Sequence, residues 1–213
     1  MNRFFLAIAI TTALSSCAEH KEHSTDHSTM DSSTHAAHAT APAGNEMKGL
    51  MDSMMMKMHG KKQTGNIDID YANMMLDHHQ GAVDMANLQL AKGSNAVLKE
   101  FSKTVIKEQQ REIGIMGEFI SRAPDSTAPV NEAFKNAMDA SMQSMMAAGT
   151  KIYNDTDKDF VAQMIPHHQS AVDMAKAYLL FGKNETLRKM SEDIVASQGK
   201  EIVWLKEWLA REG

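Results

Sequence analysis

Beyond residue 45, apolar positions recur at intervals of three and four and never in strict alternation, so the chain reads as helices without strands. One helix is predicted from about Asp70 to Lys92 and a second from about Ala96 to Ser121. Gly93 is a natural left-handed stop for the first, and Asn95 a natural N-cap for the next. The same grammar returns later with Gly182 and Asn184. So short a connection forces the two helices of each pair to lie antiparallel. A shorter methionine-rich helix precedes each pair, at roughly Glu46 to His59 and Asn131 to Ala148, and the loop from Ala123 to Pro129 marks the seam. Two helical hairpins make a four-helix bundle, so the predicted fold class is all-α.

The recurrence is a duplication. With an offset of 89, residues 68–120 align to 157–209 without a gap and are identical at 20 of 53 positions. Asp70 pairs with Asp159, Gln109 with Gln198, and Glu112-Ile113 with Glu201-Ile202. The most alike stretches are MMLDHHQGAVDMA, from Met74 to Ala86, and QMIPHHQSAVDMA, from Gln163 to Ala175.

At about 100° per residue, Tyr71, Met75, His78, Ala82, Met85 and Ala86 fall in one sector of the first helix, with His79 just beyond its edge. That sector must face the bundle interior, which carries His78 and His79 to the core beside Met75 and Met85. In the second copy Met164, His167, His168 and Met174 do the same. A core built only for packing gains nothing from adjacent imidazoles, because each unpaired buried ring nitrogen costs about 1–3 kcal/mol. The second helix of each copy offers Gln109 and Glu112, or Gln198 and Glu201, as groups able to orient a metal-bound imidazole from behind.

The metal follows from ligand softness. Imidazole suits copper, zinc, iron and nickel, whereas thioethers select copper(I), and the chain has 19 methionines. Copper as Cu(I), and also as Cu(II), is the expected ion, with zinc a poorer match. Met47, Met51, Met54, Met55 and Met58 form a stripe followed by His59, which makes a weaker second set of soft ligands; as a packing surface the same stripe is an adaptable apolar face.

The N-terminus supplies the compartment. Arg3 precedes an apolar run from Phe4 to Leu14 that is too short to span a bilayer, so residues 1–17 read as a secretory signal. It ends in Leu14-Ser15-Ser16-Cys17, which resembles a bacterial lipobox and implies lipidation of Cys17. Residues 18–45 are rich in Ser, Thr, Ala and His and nearly devoid of large apolar side chains, which predicts a disordered tether. It carries His20, His23, His27, Met30, His35 and His38, a loose metal-collecting set. The folded part is expected as one integrated domain over 46–213, with repeat 1 at 46–123 and repeat 2 at 124–213. Cys17 is the only cysteine, so intramolecular disulfides, thiolate zinc cages and a cysteine nucleophile in the folded part are excluded. A net charge of -5 without a basic run argues against nucleic acid as a partner.

The paired-histidine motifs resemble those of the secreted bacterial family called domain of unknown function 305, over roughly residues 66–210. The resemblance implies a ferritin-like bundle of two two-helix repeats, with relatives implicated in periplasmic copper binding. It carries His78, His79 and Met85 over in the first copy, and His167, His168 and Met174 in the second. Pro166 stands where the first copy has Asp77, so the two sites need not be equivalent. A di-iron bundle would need several inward glutamates with Glu-x-x-His on two helices, and no such motif occurs in the folded region. No enzyme is expected, and an oxidase is a poor fit. The expected function is an envelope-anchored lipoprotein that scavenges, buffers or delivers copper, with metal ions, the membrane and copper-handling envelope proteins as partners. The alternative is a structural or partner-binding lipoprotein whose histidines only fix the bundle.

Overall fold

Asparagines and one aspartate open most of the helices. The side chains of Asn45, Asn66, Asn95, Asn131 and Asp155 each accept a bond from a backbone N–H of the first turn that follows, where the helix has no acceptor of its own. The computed structural model describes residues 44–212 apart from 125, 127 and 147–149. The signal-like segment, Cys17 and the His-rich stretch with His20, His23, His27, Met30, His35 and His38 lie outside the described residues. The helices are α1 (Glu46–His59), α2 (Ile67–Lys92), α3 (Ala96–Arg122), α4 (Glu132–Ser141), α5 (Gln143–Met146), α6 (Thr156–Phe181) and α7 (Glu185–Glu212). Among the described residues there is no strand, and no helix is long and apolar enough to cross a membrane.

α2 packs on α3, α6 packs on α7, and α2 and α6 meet in the centre; α1 lies across α2 and α6, and α4 and α5 lie against α6. Burial explains the arrangement. Tyr71, Met75 and Met85 of α2 and Phe160, Met164, Met174 and Tyr178 of α6 are fully buried. Each large apolar side chain removed from water in this way contributes about 1.5–3 kcal/mol. Met47, Met51, Met54 and Met58 of α1 are buried at the helical spacing of four, three and four, while Met56 points outward and is 70% exposed.

Two expectations are corrected. Gly93 and Gly182 do not end their helices in the left-handed conformation; both are extended, with φ of -65° and -72°. What requires glycine there is close approach: a Cβ at Gly93 would lie 2.2 Å from Gln89 Nε2, and one at Gly182 would lie 2.0 Å from the ring of Tyr178. The left-handed glycine is instead Gly65, with φ of +78°, where a Cβ would run into the Ala128 carbonyl oxygen. The helix expected from Asn131 to Ala148 is split at Met142 into α4 and α5. Ser141 Oγ donates to the Met138 carbonyl oxygen at 2.6 Å, a local bond that competes with continuing the helix.

A reciprocal clasp joins the copies. Asp68, at the start of α2, accepts from Tyr178 Oη at 2.6 Å and from the backbone N–H groups of Lys183 and Asn184, the turn of the second hairpin. Asp157, at the start of α6, accepts from Gln89 Nε2 and from the Ser94 and Asn95 N–H groups, the turn of the first. Each copy thus caps the hairpin turn of the other, and this fixes α2 against α6 at the register that brings the histidines together.

Candidate metal centre

All eight residues expected to form the centre, Met75, His78, His79, Met85, Met164, His167, His168 and Met174, are fully buried. Equivalence by the 89-residue offset puts His78 and His167 at matching places on two antiparallel helices. Where α2 and α6 cross, their rings lie 3.8 Å apart centroid to centroid. His79 and His168 flank this pair, at 6.2 Å from His78 and 5.9 Å from His167. The two expected sites are therefore one contiguous cluster of four imidazoles.

Hydrogen bonding determines two of the tautomers. His79 Nε2 lies 2.8 Å from Glu112 Oε2, and a carboxylate can only accept, so Nε2 carries a proton and Nδ1 is the nitrogen left without a partner. His167 Nε2 donates to the backbone carbonyl oxygen of His78 at 3.0 Å, which again leaves Nδ1 with its lone pair. His168 Nε2 lies 2.8 Å from Glu201 Oε2 but without the alignment of a hydrogen bond. His78 has no partner on either nitrogen. All four Nδ1 atoms are buried and unpartnered.

Burial holds both His78 and His167 well below the ordinary imidazole range, and neighbouring imidazoles push the same way: His167, His79 and His168 on His78, and chiefly His168 on His167. The central pair is therefore neutral at physiological pH, the form that ligates metal.

The residues behind the imidazoles differ in burial between the copies. Gln109, Glu112 and Gln198 are buried, whereas the Glu201 side chain is 25% exposed. Met51, Met54 and Met58 turn inward from α1, and the Met54 thioether lies against Gly81, two residues from His79. Met55 is only partly buried, and His59 is exposed with Nδ1 bonded to the Met55 carbonyl oxygen, so neither joins the imidazole cluster. Sequence reasoning missed Arg111, whose Nη2 donates to Glu112 Oε1 at 3.0 Å. It also missed the carbonyl of His78 as a partner for His167; equivalent positions near a two-fold crossing were the available signal.

The residues present fit a soft ion. Among the described residues, His, Asp and Glu side chains alone form no group of three or more able to hold a metal. Buried Nδ1 atoms without partners, in a core rich in fully buried methionines, suit copper(I), which takes imidazole and thioether donors.

The family model for the domain of unknown function DUF305 matches residues 11–120 and again 121–209. The chain belongs to the DUF305 family. It is similar to CopM, solved in an Ag-bound form, with 32% identity over 68% of this chain and 95% of that one and a TM-score of 0.53. The Cu(I)-bound form of CopM gives 31% identity, 68% and 96% coverage, and a TM-score of 0.52. A DUF305 protein from Streptomyces coelicolor, at 21% identity over 70% of this chain and 94% of that one, shares the fold with a TM-score of 0.55. None of the curated proteins compared matches the chain.

Proposed function

We propose that this DUF305 protein binds copper as cargo, through His78, His79, His167 and His168 with thioethers from Met75, Met85, Met164 and Met174, and acts as a scavenger, buffer or carrier in the cell envelope. The observation that carries the reading is the set of four buried Nδ1 atoms without partners in a methionine-rich core. Leaving such groups unsatisfied costs about 1–3 kcal/mol each, a cost that a bound ion removes. The similarity to CopM, solved in Cu(I)-bound and Cu(II)-bound forms, supports the same ion. Copper bound there would be neutralised in part by Glu112 and Glu201, which face it through His79 and His168. Binding rather than catalysis is proposed, because the two carboxylates nearest the cluster are engaged with imidazoles.

The proposal includes a lipid anchor at Cys17, a tether over residues 18–45 and an envelope location, resting on the sequence of the first 45 residues. Competition of the purified protein against a chromophoric copper(I) chelator, with zinc in parallel, tests the ion. Strong uptake of copper with weak uptake of zinc is expected; the reverse order would overturn the choice of copper. For the anchor, Cys17→Ser should release the protein from membranes or leave it unprocessed, and unchanged fractionation and mass would count against lipidation.

A further inference from the structure

α3 packs on α2 and α7 on α6, and between α3 and α7 runs a groove of about 340 Å³. It reaches from solvent to Glu112 and Glu201, the two carboxylates that stand 2.8 Å from His79 and His168. The groove's charge favours a cation: Glu108, Glu112, Asp193 and Glu201 line it against Arg111 and Lys200. Carboxylates alone would describe a solvated surface. Here, however, Gln109 and Gln198, at 4% and 3% exposure, also line the groove, each with a buried Oε1 that has no partner. Two carbonyl oxygens and two carboxylates thus lie between bulk water and imidazoles that are themselves fully buried.

The two halves of the groove are not alike. Arg111 holds Glu112 through Nη2 at 3.0 Å and Glu108 through Nε at 3.2 Å, and the Glu112 side chain is 6% exposed. At the equivalent positions the second copy has Lys200 in place of Arg111 and Ser197 in place of Glu108. A lysine lacks the planar fork that spans two carboxylates. Glu201 is more open, with its side chain 25% exposed, and although it stands 2.8 Å from His168 Nε2 it makes no aligned hydrogen bond to it.

The geometry points to this groove as the portal through which copper reaches and leaves the histidine cluster, with Glu201 as the open gate and Arg111 as a latch over Glu112. The inference rests on the copper-binding reading and adds the route. An ion arriving at the groove meets hard oxygen donors first and soft donors behind them, an order that lets it exchange its carrier's ligands stepwise.

The test separates rate from affinity. Copper(I) is supplied as its bicinchoninate complex at concentrations where loading is first order in protein, and transfer is followed by loss of the complex's colour. Ala196 is exposed on the α7 lip of the groove and is not one of the proposed ligands, so Ala196→Trp should slow loading at least tenfold while the final copper content stays at the wild-type value. Arg111→Ala should speed loading about two- to fivefold, the scale of a partly exposed ion pair, again with the end point unchanged. Wild-type loading rates in both variants would overturn the portal and leave the binding site standing. A wild-type chain that takes up no copper would instead overturn the binding reading, and the portal with it.

Discussion

His78 and His167 are the residues on which the chemistry turns, because burial and the neighbouring imidazoles keep them neutral. Their folded-state affinity for protons lies below the ordinary value near 6.5, so below about that pH the unfolded chain binds more protons than the folded one. The sign follows: their contribution to stability is complete above about pH 6.5 and is lost as pH falls through the interval down to the depressed folded values, by at most about 1.4 kcal/mol per pH unit for each group. Thermal melts of metal-free protein should therefore drop between about pH 7 and pH 5. A flat melting temperature over that interval would show that the central pair is not buried and neutral. At the same scale, Gly93→Ala and Gly182→Ala should each destabilise by about 1–3 kcal/mol, since the new Cβ overlaps Gln89 or Tyr178. Chemical denaturation of the two variants measures this. The histidine pairs were legible in the sequence, because two adjacent imidazoles on an apolar sector have no packing explanation. Their tautomers were not, since the acceptor for His167 is a backbone carbonyl of the other copy.

Among the elements, the ends of α2 and α6 were readable because Gly93 and Gly182 follow them, whereas α2 begins at Ile67, three residues before the expected Asp70, where Asn66 caps it. The break between α4 and α5 at Met142 escaped the periodicity, because the apolar spacing continues through Met138, Met142 and Met145. The cross-copy clasp was equally invisible: Asp68 and Asp157 read as ordinary acidic residues in a helix first turn. Burial opposes the charge of Asp157, but bonds from Ser94, Gln89 and the Asn95 N–H outweigh it and hold the carboxyl below the usual range. Asp157→Ala should cost about 1–3 kcal/mol by leaving the Ser94 and Asn95 N–H groups without their acceptor. It should also loosen the hairpin turn at residues 93–95. Hydrogen exchange at Ser94 and Asn95 reads the local effect; protection equal to wild type would show that the clasp does not hold the turn.

At the scale of the whole molecule, duplication supplies what one hairpin cannot. A single copy presents one pair of histidines on one helix, and only the crossing of α2 with α6 brings the His78 ring against that of His167, tilted by 40°, and closes the cluster. The methionine helix α1 lies across α2 and α6 and adds four buried thioether side chains to the core. The bundle should fold without metal, because apolar burial rather than coordination supplies its core; circular dichroism of stripped protein should show a mostly helical chain. The most direct test of the copper-binding centre is a copper(I) competition titration, run beside circular dichroism, of the protein with His78, His79, His167 and His168 all changed to Gln. The expected result is loss of the tightest copper equivalents with helical content retained; full wild-type affinity in that variant would contradict the claim that these four imidazoles hold the ion.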